Sequence, residues 1–290
     1  MTALEFHRPA TLDEAVATLA EYGDEAKIVA GSTALSILLR QRLIAPRALV
    51  SIGHLPGLSG IAVEDGVLVL GALVSHRAVE QSTVVREALP VVADTFAKVA
   101  NVRVRNAATV GGVVAEADYA SDPPAVFVAL DAEIEAVGPD GMRRIPAADF
   151  FRGFYETDLA PAEVVTAVRI PLLPVGSAAV YEKFVTRSSE DRPCVGVAAV
   201  VRLAADGSIA DLRVAVGAAA ELPNRHRDVE AATVGRPLDE ALAIEVAEVY
   251  AERVDPLDDL RGSAWYRREM VRVWVRRAIL NAGAQAGGAR

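Results

Sequence analysis

Cysteine is nearly absent from this chain of 290 residues, and its absence excludes several kinds of redox centre. The single cysteine, Cys194, has no partner for an internal disulfide bond. Iron–sulfur clusters and zinc–thiolate sites need about four ligands. The histidines cannot complete such a set, because they are scattered along the sequence as His7, His54, His76 and His226. We therefore expect any redox metal that works with this chain to lie on another chain.

Long hydrophobic runs and an excess of basic residues are also missing. No segment approaches the roughly 20 consecutive apolar residues that a transmembrane helix requires. The 30 basic and 39 acidic residues give a formal net charge of -9, the wrong sign for a surface that binds nucleic acid broadly. The opening, MTALEFHRP, includes an acidic residue and lacks the apolar stretch of a signal peptide. We therefore expect a cytoplasmic protein with no membrane span and no nucleic-acid partner.

The common nucleotide-binding and catalytic patterns are absent too. Neither G-x-G-x-x-G nor G-x-x-x-x-G-K-(S/T) occurs, which excludes the Rossmann fingerprint and the P-loop. No Ser-His-Asp, Cys-His or paired-carboxylate arrangement is suggested by the sequence.

The first 55 or so residues have the pattern of a small α/β unit. Residues 11–14 form a capping box that begins a short amphipathic helix. Residues 27–30 predict a buried strand, residues 34–42 a helix and residues 48–52 a returning strand. The strand–turn–helix order is typical of phosphate-binding units.

Residues 56–174 predict a larger unit with two hairpins. One hairpin turns at Asp65-Gly66 and the other at the GPDG sequence. Between them lies a helix over residues 84–99 that breaks near Pro90, and residues 164–171 form a closing strand. The segment PLLPVG that follows is the best linker in the chain.

After this linker the pattern changes to three long strands and then helices. The strands are predicted over residues 179–186, 195–203 and 209–218, and the helices over residues 238–253 and 264–281. A sheet followed by helices indicates an α+β arrangement, with a domain boundary at residues 172–178.

Two segments rich in small residues are candidate anion-binding loops. They are residues 29–35, VAGSTAL, and residues 109–113, TVGGV. Glycine permits close approach, and each segment can present backbone N–H groups and a hydroxyl to an anion. Taken alone, either is compatible with an ordinary turn; together, they suit a pyrophosphate.

The flanks of these loops carry a family resemblance. Arg105-Asn106 followed by Thr109 to Gly112 is similar to the motif R-N-x-x-T-(I/V)-G-G. Further segments along the whole chain also match, in the order that the family has them. They are Phe6 with Arg8 and Pro9, residues 27–35, Ala117-Asp118, Ser121-Asp122, residues 181–187 (YEKFVTR) and residues 265–267 (WYR). The chain resembles the FAD-binding medium subunit of the molybdenum hydroxylases, the group of carbon monoxide dehydrogenase and xanthine dehydrogenase.

The resemblance implies an α+β fold in two parts. Residues 1–174 would form an FAD-binding domain of the PCMH/VAO type, with a small α/β unit over about 1–55 and a larger α+β unit over 56–174. Residues 178–284 would form the C-terminal domain, a three-stranded antiparallel sheet with helices, and residues 285–290 a flexible tail.

The resemblance also implies which residues bind FAD. The two loops would hold the pyrophosphate from two sides, and an acidic residue, a lysine and an arginine would lie at the flavin. The full set is Ile28, Val29, Ala30, Gly31, Ser32, Thr33, Ala34, Leu35, Thr109, Val110, Gly111, Gly112, Val113, Asp122, Lys183 and Arg192. Aspartate at Gly111 or at Gly112 is expected to abolish FAD retention and leave the fold largely intact.

Three of these residues have a second interpretation. Asp122 precedes two prolines and is also the predicted N-cap of a helix. Lys183 is one of only three lysines, with Lys27 and Lys98, which favours a function, but a surface lysine at a strand end is the alternative. Arg192 either stacks on the isoalloxazine or points into solvent.

Several positions depart from the family pattern, and among them Glu116 and Tyr119 replace the frequent His and Pro. The implied function is electron transfer by noncovalent FAD between iron–sulfur clusters of a small subunit and a terminal acceptor, a quinone or NAD. A large subunit would carry the molybdenum cofactor, in a dimer of heterotrimers. The alternatives are a self-sufficient flavoenzyme on the same fold, acting directly on an organic substrate, and a flavin-free structural or regulatory protein.

Overall fold

The computed structural model describes residues 4–288 of the chain. Its first unit is a three-stranded parallel sheet with strand order β1-β3-β2 and two helices. The elements are β1 Glu5–His7, α1 Leu12–Tyr22, β2 Ala26–Val29, α2 Leu35–Arg40 and β3 Ala48–Ser51. The Thr11 hydroxyl accepts a hydrogen bond from the Glu14 N–H, as the capping box predicts.

The second unit is a five-stranded antiparallel sheet, order β4-β5-β10-β6-β7, flanked by short helices. Both predicted hairpins are present, and Asp65 and Gly66 have the positive φ of a tight hairpin turn. The elements are β4 Ile61–Glu64, β5 Val67–Gly71, α3 His76–Gln81, α4 Thr83–Ala88, α5 Pro90–Ala97, α6 Val102–Ala107, α7 Val110–Glu116, α8 Pro123–Ala129, β6 Glu133–Gly138, β7 Gly141–Pro146, α9 Ala147–Phe150, β8 Phe151–Gly153, β9 Glu156–Thr157 and β10 Val164–Pro171.

The C-terminal unit is a three-stranded antiparallel sheet covered by helices, as expected. Its elements are β11 Ser177–Phe184, β12 Val195–Leu203, β13 Ile209–Gly217, α10 Arg227–Ala231, α11 Glu240–Arg253 and α12 Ala264–Gly288. Helix α12 continues through residues 285–288, which the sequence predicted as a flexible tail. The last two residues of that predicted tail, and residues 1–3, lie outside the described range.

Both faces of the C-terminal sheet are buried, which joins the two larger units. Ala198 and Val200 of β12 face the core that contains α8. Val197 and Ala199, which alternate with them along the strand, pack on the opposite face against α11 and α12. Each fully buried Val side chain stabilises such packing by about 1.5–3 kcal/mol. Strand β11 thereby lies against the end of α5 and the start of α8.

No helix within residues 4–288 has both the length and the hydropathy needed to cross a membrane.

Candidate functional site

The first candidate loop leaves a row of backbone N–H groups without acceptors. Strand β2 ends at Val29 and α2 begins at Leu35, so the chain turns between them. Among the described residues, no hydrogen-bond acceptor is found for the N–H groups of residues 31–35. Ser32 has a left-handed backbone with φ 55°, a conformation that non-glycine residues seldom adopt. Such a concave row of N–H groups is suited to an anion.

Gly31 brings this loop against the segment that precedes the second one. A Cβ atom added at Gly31 would lie only 1.9 Å from the Ala107 carbonyl oxygen and 3.1 Å from the Ala108 Cα. Only glycine fits such an approach of two backbones. The two candidate loops are far apart in the sequence, but this contact places them side by side.

The second candidate segment is the first turn of α7 and not a loop. Thr109 is the N-cap, and its hydroxyl oxygen accepts from the Gly112 N–H at 3.1 Å. The N–H groups of Val110 and Gly111 donate to the carbonyls of Val74 and Ala72, at 2.9 and 2.8 Å. The expected row of free N–H groups is therefore absent here, because these groups already anchor α7 to the end of β5.

The residues of this turn divide between the core and the surface. Val110, Gly111 and Val113 are buried, whereas Gly112 is exposed. A Cβ atom at Gly111 would lie 2.7 Å from the Ala72 Cβ, but at Gly112 it would meet only the Thr109 hydroxyl oxygen, at 2.9 Å. The groups of this turn that remain for a cofactor are thus the exposed backbone surface of Gly112 and the proton of the Thr109 hydroxyl, since the hydroxyl oxygen already accepts from the Gly112 N–H.

Asp122 and Lys183 form a buried ion pair. The Lys183 Nζ donates to an Asp122 carboxylate oxygen at 3.0 Å and to the Lys98 carbonyl at 2.7 Å. The other Asp122 oxygen accepts from the Tyr181 hydroxyl at 2.7 Å. The side chains of Lys183 and Asp122 are only 6% and 4% exposed. The surface-lysine interpretation of Lys183 is therefore wrong.

The Asp122 side chain does not cap α8, although Asp122 occupies the N-cap position. Its backbone is helical there, and the carboxylate turns inward to Tyr181 and Lys183 instead. Burial raises the pKa of Asp122, and the Lys183 ammonium and the two hydrogen bonds oppose this rise. Burial, and then the neighbouring Asp122, raise the pKa of Tyr181 well above its usual value, so Tyr181 stays a hydrogen-bond donor.

A groove of about 660 Å³ lies beside this ion pair. Lys183 and Lys98 line it together with Asn101, Arg105 and Trp274. Asn101 caps the start of α6, whereas Gly31 contacts the end of that helix. The six residues of α6 span about 9 Å, so the groove and the anion-binding loop lie at opposite ends of one short helix.

Arg192 lies in an arrangement that neither sequence interpretation included. Its guanidinium pairs with the buried Asp118 carboxylate at 2.6 Å, and its side chain is 56% exposed. Glu116 lies close to this pair. Burial, and then the Asp118 charge, raise the pKa of Glu116 to about 7, while the Arg192 guanidinium opposes the rise.

Sequence reasoning did not include Tyr181, Lys98 and Asp118 among the site residues, although Tyr181 and Asp118 lie in segments that resemble the family. Lys98 donates to the Tyr181 carbonyl, and its ammonium lies 5.5 Å from the centre of the Tyr181 ring. The scarcity of lysine that favoured Lys183 applies equally to Lys98 and would have identified it. No local signal identifies Tyr181, because its partner is 59 residues away.

The sequence matches two known family models. Residues 2–173 match the FAD binding domain in molybdopterin dehydrogenase, and residues 179–282 match the CO dehydrogenase flavoprotein C-terminal domain. The chain is 33% identical over 285 residues to the carbon monoxide dehydrogenase medium chain of Afipia carboxidovorans, covering 98% of each. It is 30% identical over 287 residues to the xanthine dehydrogenase FAD-binding subunit of Escherichia coli O157:H7, covering 98% of this chain and 97% of the relative.

Solved structures show the same fold. A chain of carbon monoxide dehydrogenase from Hydrogenophaga pseudoflava superposes with a TM-score of 0.93 at 34% identity, over 98% of both chains. The quinoline 2-oxidoreductase of Pseudomonas putida 86 superposes with a TM-score of 0.91 at 31% identity, over 98% of both chains. The chain thus belongs to the family of FAD-binding medium subunits of the molybdenum hydroxylases, and FAD is its cofactor.

Proposed function

We propose that this chain is the electron-transfer subunit of a molybdenum hydroxylase. Its noncovalently bound FAD relays electrons between iron–sulfur clusters of a small subunit and a terminal acceptor, a quinone or NAD. The observation that carries the proposal is the row of free N–H groups at residues 31–35, held against Ala107 just before the second candidate segment. Five consecutive donors suit the two negative charges of a pyrophosphate.

The residues present fit FAD in two places. Residues 31–35 would bind the pyrophosphate from one side, with the exposed Gly112 and the Thr109 hydroxyl on the other. The groove beside Lys183 and Asp122, about 9 Å away along α6, would take the isoalloxazine. When bound, FAD supplies the electron-transfer chemistry.

The protein's own groups define the polarity of the ring site. The Lys183 ammonium is held by the Asp122 carboxylate and the Lys98 carbonyl, so its position does not depend on a ligand. The Tyr181 hydroxyl keeps Asp122 in place from the other side. This pre-organisation lowers the entropic cost of binding, because few side chains must be ordered when the cofactor enters.

The partners and the domain limits belong to the same proposal. We infer an iron–sulfur small subunit and a molybdenum large subunit, in a dimer of heterotrimers, from relatives named as medium chains. Residues 1–174 would form the FAD-binding domain, in two parts that meet near residue 55, and residues 178–284 the C-terminal domain. The β10–β11 connection, between Pro171 and Ser177, supports this division.

FAD binding tests the basis of the proposal. Isothermal calorimetry on the purified FAD-free chain should show one FAD per chain, and the loaded protein should be yellow. A colourless chain that binds no FAD would refute the site. FMN serves as the control, because it lacks the pyrophosphate and should bind much more weakly.

The relay itself requires a second experiment. When the tagged chain is expressed in its native organism, it should co-purify with iron, molybdenum and two further subunits. The FAD of the purified complex, once reduced by dithionite, should be reoxidised by a quinone or by NAD. A chain that purifies alone and turns over an organic substrate by itself would instead support the self-sufficient flavoenzyme.

A further inference from the structure

The segment between α7 and α8 forms hydrogen bonds with residues of other elements. Residues 117–122 leave α7 through Ala117, which has a left-handed backbone with φ 48°, and end at Asp122. The Ala117 carbonyl accepts from the Tyr155 N–H, and the Tyr119 carbonyl accepts from the Ala218 N–H, each at 3.2 Å. These outside contacts help to fix the position of the segment, and therefore of Asp122.

A partly buried charge cluster in the C-terminal unit lies against this segment. Arg267 is fully buried, and its guanidinium donates to the carbonyls of Cys194 and Ala218 and to the Asp259 carboxylate. The backbone N–H of Arg261 donates to the Asp259 carboxylate at 2.7 Å. These contacts join the start of β12, the end of β13 and the start of α12 into one rigid cluster.

Tyr119 connects the cluster to the segment. Its hydroxyl donates to an Asp259 oxygen at 2.9 Å and accepts from the Arg261 guanidinium at 2.7 Å. The Tyr119 ring lies edge-on to Phe154 at 5.3 Å, and the Arg261 guanidinium lies 5.4 Å from its centre. Burial alone would raise the pKa of Asp259, but the Arg261 N–H, the Arg267 guanidinium and the Tyr119 hydroxyl hold that pKa below its usual range.

The geometry points to Tyr119 as a positioning residue, through which the Asp259–Arg261–Arg267 cluster of the C-terminal unit sets the affinity and the electronic environment of FAD. Tyr119 lies three residues before Asp122, the carboxylate that holds Lys183 beside the groove. This inference rests on the proposed FAD site. It assigns a role to the C-terminal unit that does not require direct contact with the cofactor.

Tyr119→Phe tests the inference, because it removes the hydroxyl and keeps the ring contacts. The Kd for FAD should rise about three- to tenfold, because only part of the free energy of a hydrogen bond to a charged group passes on to the cofactor site. The visible absorption spectrum of the bound flavin should also change. The matched control is Tyr22→Phe, which removes a 2.7 Å hydrogen bond to Glu5 in the first unit and should change neither value.

The outcomes separate the inference from the proposed function. If the wild-type chain binds FAD and Tyr119→Phe binds it with the same Kd and spectrum, the positioning role is refuted and the site stands. If the wild-type chain binds no FAD, the proposed function itself fails.

If Tyr119 has a purely structural role, Tyr119→Phe should have a lower melting temperature but an unchanged Kd and an unchanged flavin spectrum when both are measured well below that temperature. This result would also refute the inference. Should Tyr119→Phe fold poorly, Arg261→Lys keeps the charge and loses the guanidinium hydrogen bond to the hydroxyl. Arg261→Lys should also bind FAD more weakly than the wild type does, and an unchanged affinity refutes the inference.

Discussion

Aspartate at Gly112 should weaken FAD binding through its charge and leave the fold in place. Gly112 is exposed and is the third residue of α7, where a carboxylate stabilises a helix by about 0.3–1 kcal/mol. The new Cβ would lie 2.9 Å from the Thr109 hydroxyl oxygen, which must move slightly. These two effects are opposite in sign, so the melting temperature should change by no more than about 3 °C.

The loss of affinity follows from Coulomb's law. Two unit charges about 5 Å apart repel by roughly 3 kcal/mol at an effective dielectric constant of 20, and by about 1 kcal/mol in water. Because Gly112 is at the surface, the repulsion between Asp and the pyrophosphate should lie between these limits. The Kd for FAD should therefore rise by about 5- to 150-fold.

Gly112→Asn is the matched control, because asparagine has nearly the same shape as aspartate without the charge. Calorimetry on wild type, Gly112→Asn and Gly112→Asp separates the steric effect from the electrostatic effect. If the two variants bind FAD with Kd values within threefold of each other, the pyrophosphate does not lie beside Gly112 and the reasoning is refuted.

The same substitution at Gly111 should act differently, which corrects the expectation from sequence. A Cβ atom there would lie 2.7 Å from the Ala72 Cβ and 3.0 Å from the Ala72 carbonyl oxygen. Even Gly111→Ala overpacks this contact and should cost about 1–3 kcal/mol of stability. Urea denaturation of the FAD-free variant should show the loss, and an unchanged midpoint would contradict the close approach.

Three further predictions concern charged residues. Lys183→Met leaves the Asp122 carboxylate buried without its cation and should lower the free energy of unfolding by about 3–5 kcal/mol in urea, whereas the exposed Lys27→Met should not. Burial raises the pKa of Glu116 from 4.5 to about 7, so between these pH values the folded protein keeps a proton that the unfolded chain loses. The free energy of unfolding should therefore fall by about 3 kcal/mol as pH rises through this window. Glu116→Gln should remove that fall, and identical pH profiles for the variant and the wild type would contradict it. Arg192→Ala removes the cation that opposes this shift, so the fall in stability should extend to higher pH, and an unmoved window would mean that Arg192 does not act on Glu116.

Much of the fold follows from local sequence patterns. Strand β12 has the predicted bounds, Val195–Leu203, and the helix predicted over residues 84–99 breaks before Pro90 as expected. Proline lacks an N–H and clashes with the preceding turn, so its effect does not depend on the rest of the protein. Alternation along a strand and the turn at Asp65-Gly66 are equally local.

The end of α12 could not be predicted in this way. The sequence around Gly283 is rich in glycine, which disfavours helix in isolation. In the structure Ala282, Gly283 and Ala286 are buried, and Gly283 lies where a Cβ would meet the Leu238 side chain. Close packing against Leu238 therefore outweighs the low helix propensity of these residues.

The sequence by itself determined the α+β class, because turns, caps and hydrophobic periods act over a few residues. The two glycine-containing segments, with the residues around them, showed the family through their resemblance to its motifs. The tertiary structure alone decided which polar groups are free and which are paired. It uses the Val110 and Gly111 N–H groups to anchor α7, and leaves those of residues 31–35 available. It also pairs Tyr119 with Asp259 across 140 residues. Such pairings depend on how whole elements pack, since a buried polar group takes whichever partner the packing brings within reach.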